Sequence, residues 1–196
     1  MNRVSYDKIA DLYDEYMADR KVGRCIIEFA DLLNSGDMIL DVGSGSGVPS
    51  DRYLVERGFI VEGIDESSKM IKNARRNNPG VNYYISDINK WRPDYCYDGI
   101  IAFDSLFHID YDLQIETFKR LSDLLKSDGY IIFTHGKTDD IREGNMFNEE
   151  FSYASLGFYK IIKVLNDVHL KPCKIYLNYY DINAGNRDLV VIARKY

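Results

Sequence analysis

The chain has 196 residues, 45% of them hydrophobic, and a formal net charge of −6. That length and apolar content suit one domain with a complete core. An acidic chain with no long basic run lacks the electrostatic footprint of a duplex-binding protein, so no nucleic-acid partner is expected.

Taken in order, Tyr6 to Met17 reads as a helix, with Ile9, Leu12, Tyr13 and Tyr16 at helical spacing and Ser5 as its N-cap. A second helix is predicted over Lys21 to Leu33, stopped by Asn34-Ser35-Gly36-Asp37. Met38 to Val42 is a short apolar strand that breaks into Gly43-Ser44-Gly45-Ser46-Gly47. Pro49 to Arg57 is helical and ends at Gly58. Phe59 to Ile64 is a second strand ending at Asp65. Ser67 or Ser68 caps a helix that turns Met70, Ile71 and Ala74 inward. Val81 to Ile85 is a third strand ending at Ser86-Asp87, and Tyr97 to Phe103 a fourth ending at Asp104. Asp112 to Lys126 is an amphipathic helix with Ile115, Phe118, Leu121, Leu124 and Leu125 apolar, closed by Gly129. Tyr130 to Thr134 follows as a fifth strand.

Residues 136–155 are polar with scattered aromatics and no clean period, which suits a lid or substrate-facing insertion. A helix over Ser155 to Val168 precedes two β-rich runs, Lys174 to Tyr180 and Asp188 to Ala193, joined by a turn. Strands alternating with helices imply βαβ units and a parallel sheet. The expected fold is therefore a single-domain α/β, Rossmann-like three-layer sandwich. Its seven-stranded, mostly parallel sheet ends in an antiparallel hairpin. In this division residues 1–35 are N-terminal helices, 36–135 the core, 136–155 the lid and 156–196 the C-terminal helix and hairpin.

In an open parallel sheet, ligands bind beyond the carboxyl ends of the strands. Asp41, Asp65, Asp87 and Asp104 all fall at that edge, beside the glycine loop. Glycines let backbone approach a ligand, and an acid about 20 residues further on is placed to meet ribose hydroxyls. The loop itself carries no Lys or Arg for phosphate, so an adenosine without phosphate fits.

Asp41-Val42-Gly43-Ser44-Gly45-Ser46-Gly47 resembles the D-x-G-x-G-x-G motif of the class I S-adenosylmethionine-dependent methyltransferases. The resemblance runs from Tyr6 to about Gly136. It implies S-adenosyl-L-methionine as cofactor, S-adenosyl-L-homocysteine as product and methyl transfer as the reaction. It implies that Asp41, Gly43, Ser44, Gly45 and Gly47 lie along the methionine and ribose, and that Asp65 binds ribose. Asp87 with Ile88 would hold adenine, and Met70 and Phe103 would line the same site. Tyr6, in a run similar to a cofactor-covering helix of one subgroup, would lie near the methionine end. Asp104-Ser105-Leu106-Phe107-His108 is similar to a D-S-x-F-H run of small methyltransferases. It replaces the D/N-P-P-Y run of amino-methylating enzymes, and Cys96 precedes the fourth strand where C5-cytosine methylases place a nucleophile after it. A small-molecule O, N or S acceptor is the remaining expectation.

His108 is the candidate base, because a histidine near neutral pKa can take a proton from an acceptor. Asp104 is the candidate to orient it or to bind an acceptor amine. Phe107, His135, Phe147, Phe151 and Tyr153 are candidates for the acceptor wall. Two other readings use the same loop: a nicotinamide-dependent oxidoreductase, disfavoured because Val48 stands where G-x-G-x-x-G needs glycine, and a non-catalytic cofactor- or partner-binding module. Cys25, Cys96 and Cys173 are far apart without C-x-x-C spacing, so neither a disulfide framework nor a structural metal is expected. No run is long enough to span a bilayer and the N-terminus has no apolar leader core, so a cytoplasmic location without membrane partners is expected.

Overall fold

The computed structural model describes residues 2–196. Its N-terminal half alternates helices and strands: α1 (Asn2–Ala18), α2 (Arg24–Ala30), β1 (Met38–Val42), α3 (Ser50–Glu56), β2 (Ile60–Asp65), α4 (Ser68–Asn77), β3 (Asn82–Ile85) and β4 (Tyr97–Ala102). Two short 3-10 turns, Leu106–His108 and Tyr111–Leu113, lead into α5 (Gln114–Leu124) and β5 (Leu125–His135). A hairpin of β6 (Asp139–Met146) and β7 (Glu149–Leu156) precedes α6 (Gly157–Asp167) and the closing strands β8 (Leu170–Asp181) and β9 (Gly185–Lys195).

Seven strands form one sheet in the order β3-β2-β1-β4-β5-β9-β8. The first five pair in parallel, and β9 joins β5 and β8 antiparallel. The apolar strand runs explain the layers. Successive side chains of a strand face opposite ways, so Leu40, Ile100, Ile131 and Val191 pack with Phe118, Leu121 and Leu165 of α5 and α6. Their neighbours Ile39, Ile101, Ile132 and Val190 pack on the other face with Ile26, Phe29 and Leu54 of α2 and α3. The parallel strands all end on one edge, and that edge carries residues 43–47.

Several local expectations change. Helix α1 begins at Asn2, so Ser5 lies inside it and its hydroxyl donates to the Glu150 carbonyl at 2.7 Å instead of capping. The buried positions of α1 are Ser5, Ile9, Ala10 and Asp14, while Leu12 and Tyr16 are exposed. Ile115 is exposed on α5, and Gly129 lies within β5 instead of ending the helix. Ser67 does cap α4, accepting from Met70 N at 3.1 Å. The segment read as irregular, 136–155, is mostly the β6–β7 hairpin, whose eight residue pairs run from Asp139↔Leu156 to Met146↔Glu149. It is a separate two-stranded sheet docked on α1. No helix among the described residues is long and apolar enough to cross a membrane.

Candidate active site

The loop after β1 is held by β2. Gly43 N and Ser44 N donate to the Ile64 carbonyl at 2.8 and 3.0 Å. Gly43 and Gly47 have φ of +75° and +70°, and each is also crowded. A Cβ on Gly43 would lie 2.4 Å from Ser105 Cβ, and one on Gly47 would lie 2.5 Å from Tyr83 Oη. Backbone is thus exposed at the cleft because no side chain fits. Asp65, at the end of β2, accepts from Gly45 N at 3.0 Å and Ser67 N at 2.7 Å. Burial raises its pKa to about 6, against the opposing pull of those two N–H groups. Ser44, Ser46 and Ser105 have buried hydroxyls with no partner among the described residues. Unpaired buried hydroxyls are costly unless a ligand engages them.

The cleft has two lobes. The smaller, about 350 Å³, is lined by Asp65, Met70, Asp87 and Ile88. The larger, about 780 Å³, is lined by Asp41, Ser44, Gly47, Phe107, His135 and Tyr153. Tyr6, Gly43, Gly45, Phe103, Asp104 and His108 border both lobes. Two aromatic candidates fall elsewhere. Phe147 lies in the hairpin turn and stacks against Tyr16 with ring centroids 5.8 Å apart. Phe151 is fully buried against Tyr6, 4.8 Å away, so it supports the wall from behind.

The candidate base is fully engaged. Tyr6 Oη lies 2.8 Å from His108 Nε2, while Nδ1 faces Asn2 Nδ2 at 3.1 Å and the Ser152 carbonyl at 3.3 Å. Burial pushes the imidazole down to about 4, so it is neutral at pH 7 and a weak base. Asp104 does not orient it. The Asp104 carboxylate is gripped by Arg187 Nε and Nη2 from β9, and Thr134 Oγ1 accepts from Asp104 N at 2.7 Å. This neutralised carboxylate is also a poor receptor for an acceptor amine. Residue 104 has φ +56°, a conformation held by these contacts. His135 is pinned between Gln114 Oε1 at 3.1 Å and Ser155 Oγ at 2.9 Å, and burial lowers it to about 4 as well.

Three cleft residues were not singled out from sequence. Tyr13 borders both lobes, and its ring covers Gly45, where a Cβ would lie 3.7 Å from Tyr13 Cε1. Arg20 lines the large lobe with its guanidinium 4.0 Å over the Tyr16 ring and no acidic partner among the described residues. Arg187 arrives from a strand 83 positions beyond Asp104. The glycine loop therefore lacks cations of its own, but the cleft does not. Among the described residues, no group of His, Cys, Asp and Glu could hold a metal ion.

Comparison with known proteins places this geometry. Residues 39–129, from β1 into β5, match the family described as a methyltransferase domain. A malonyl-[acyl-carrier protein] O-methyltransferase of Ilyobacter polytropus is 30% identical over 179 residues, covering 83% of this chain and 66% of that protein. A trans-aconitate 2-methyltransferase of Rhizobium rhizogenes is 34% identical over 97 residues, covering 48% of this chain and 37% of the relative. In its longest alignments with curated relatives the chain spans about two thirds of their length. Among solved structures, the Burkholderia thailandensis 1,6-didemethyltoxoflavin-N1-methyltransferase superposes with a TM-score of 0.75 at 20% identity, over 98% of this chain and 86% of that one. The glycine loop after β1, the acid closing β2 and the antiparallel β9 thus have a common origin: the chain belongs to the class I S-adenosylmethionine-dependent methyltransferase family.

Proposed function

We propose that the protein binds S-adenosylmethionine in the two-lobed cleft and transfers its methyl group to a small-molecule acceptor at an O, N or S atom. The observation that carries this reading is the loop of residues 43–47. Its backbone is bare at the cleft, Asp65 is tied to Gly45 N, and the orphaned Ser44 and Ser105 hydroxyls wait beside it. These residues fit the cofactor's polar groups. Asp65 suits the ribose, Asp87 and Ile88 the adenine, and Met70 the wall of the small lobe. Arg20, a cation without an acid partner among the described residues, suits the methionine carboxylate. Tyr6 and Tyr13 of α1 cover the join between the lobes.

The sulfonium of the cofactor supplies an activated methyl group. The protein's own residues then orient the acceptor and exclude water, effects worth on the order of 7–11 kcal/mol. Phe107 and Tyr153 wall the acceptor lobe, with centroids 5.8 Å apart. None of His108, Asp104 and His135 is a free base. The acceptor that fits is therefore one whose nucleophile already has an unshared pair at neutral pH, such as an unprotonated amine, a thiolate or a carboxylate. The names of two relatives, with malonyl and trans-aconitate acceptors, are consistent with the last of these.

Isothermal titration tests the cofactor assignment. Both S-adenosylmethionine and S-adenosylhomocysteine should bind at micromolar levels, and Asp65→Ala should weaken both at least tenfold. Full affinity in Asp65→Ala would show that the ribose contact lies elsewhere. A labelled-methyl screen of acids, thiols and amines then identifies the acceptor.

A further inference from the structure

Four basic side chains line the large lobe: Arg20, Lys21, Arg142 and Arg187. Three have a place in the reading so far. Arg20 and Lys21 follow α1 on the side given to the methionine carboxylate, and Arg187 is committed to Asp104. Arg142, on β6, is left over. Its Nε lies 3.5 Å from Asp140 Oδ2 and its Nη2 lies 3.9 Å from Asp188 Oδ2. Both contacts are longer than a hydrogen bond, which is about 2.7–3.2 Å for N–H···O. A fork of five donors thus faces the lobe with only loose ionic partners.

The hairpin register places it. Arg142 stands directly opposite Tyr153, and Gly144 opposite Phe151, so Arg142 and Tyr153 share one face. That face lines the lobe. The Tyr153 ring lies over Gly144, where a Cβ would sit 3.1 Å from Tyr153 Cε2. Its hydroxyl has no hydrogen-bond partner among the described residues. Ring centroids step from Tyr6, at the join of the lobes, to His108 at 5.3 Å and on to Tyr153 at 5.0 Å. The side chains of Arg142 and Asp188 are 55% and 43% exposed, which puts them at the mouth. The lobe therefore runs from the join, past the Tyr153 and Phe107 rings, to a guanidinium at its opening.

We propose that Arg142 anchors the acceptor: the substrate is a flat organic anion whose carboxylate docks on the Arg142 guanidinium at the mouth, whose body lies on Tyr153 and Phe107, and whose nucleophilic atom points inward to the methyl group. This rests on the cofactor reading above and narrows its acceptor. The anchoring carboxylate and the methylated atom are then different groups at opposite ends of one molecule. The fork of the guanidinium matches two carboxylate oxygens, and the free Tyr153 hydroxyl is a further donor beside it. Asp140 and Asp188 lie close enough to repel a second negative charge, which favours a monoanionic carboxylate over a phosphate dianion. In the empty lobe Asp188 is the loose partner of Arg142, and it also faces Lys137 at 3.8 Å. The acceptor carboxylate takes its place on Arg142. A neutral molecule of the same shape would cover the guanidinium without pairing it, which is unfavourable.

Naphthoate, the isosteric naphthamide and naphthyl phosphate serve as probes. Each is titrated by ligand-observed NMR into the whole chain saturated with S-adenosylhomocysteine, whose own binding is measured first in every protein. Naphthoate should bind about tenfold or more tightly than naphthamide. Arg142→Gln should remove that margin, and Arg142→Lys should keep only part of it, because an ammonium lacks the fork. Asp188→Asn should act in the opposite direction, tightening naphthoate about two- to fivefold by releasing the guanidinium. A purely structural ion pair would not give opposite shifts from its two ends. Equal binding of naphthoate and naphthamide, or a margin that survives in Arg142→Gln, overturns the proposal while S-adenosylhomocysteine binding keeps the cofactor reading intact. Tighter binding of naphthyl phosphate than of naphthoate overturns the assignment of a carboxylate. No binding of S-adenosylhomocysteine to wild type overturns both readings.

Discussion

At the scale of single residues, the loop separates two reasons for glycine. Gly36 and Gly43 both adopt positive φ, +93° and +75°. A Cβ on Gly36 meets nothing within 4 Å, whereas one on Gly43 meets Ser105 Cβ at 2.4 Å. Gly36→Ala should therefore cost only the backbone strain, about 1–2 kcal/mol, and leave cofactor affinity unchanged. Gly43→Ala adds overpacking against the segment that holds Asp104, for a total of about 2–5 kcal/mol. It should also lower S-adenosylmethionine affinity at least a hundredfold, because the displaced Ser105 lines the small lobe. Urea denaturation and calorimetric titration of the two variants check this. Equal losses would mean that close approach is not why Gly43 is glycine. The glycines and strand-end acids were legible in the sequence because each is dictated by local backbone geometry. Arg187 was not: its partner Asp104 lies on another strand, and nothing in the run Asn186-Arg187-Asp188 distinguishes a cleft arginine from a turn residue.

Among the elements, the central strands announced themselves as apolar runs, since a parallel strand is buried on both faces. The β6–β7 hairpin did not. Strand β6 is largely exposed along its length, and the buried positions Phe151, Ala154, Ser155 and Leu156 all lie in β7. Its turn, Phe147-Asn148, has positive φ at both residues, 51° and 64°, without the glycine that usually signals such a turn. The hairpin is held by its docking on α1. Ser5 reaches the Glu150 carbonyl, Lys8 pairs with Glu149 at 2.7 Å, and Asn2 both donates to the Ser152 carbonyl at 2.8 Å and accepts from Ser152 N at 2.9 Å. Helix and hairpin thus form one cap, and His108 sits at their junction. Asn2→Ala removes the paired bonds and should destabilise the docked cap by about 1–3 kcal/mol. Amide exchange in residues 149–156 should quicken and cofactor release should accelerate about tenfold, with exchange in β1 and β4 unchanged. Unaltered exchange in the hairpin would show that its docking does not depend on Asn2.

The molecule as a whole carries two sets of buried titratable groups with opposite signs. His108 and His135 fall from the usual 6.5 to about 4 through burial. The folded state thus binds fewer protons than the unfolded one between these values. Their stabilising contribution is complete above pH 6.5 and is lost as the pH drops towards 4, by about 3 kcal/mol for each histidine. Asp65, raised from 3.8 to about 6, acts the other way: the folded protein binds its proton first, so acid relieves the cost of that buried carboxylate. Asp41 and Asp51 share its sign. The net pH profile of wild type is a compromise, but the histidine part can be isolated. Relative to wild type, His108→Gln with His135→Gln should melt progressively higher as the pH falls from 6.5 to 4. The gain at the acid end should be about 12–24 °C for the two histidines together, since a kcal/mol is worth about 2–4 °C in a chain of this size. Thermal melts at half-unit pH steps give the result. A constant difference across that range would mean that the histidines take up protons as readily in the folded state as in the unfolded one. It would also return His108 to contention as a base, because the argument against it rests on an imidazole that stays neutral and bonded to Tyr6 throughout the physiological range.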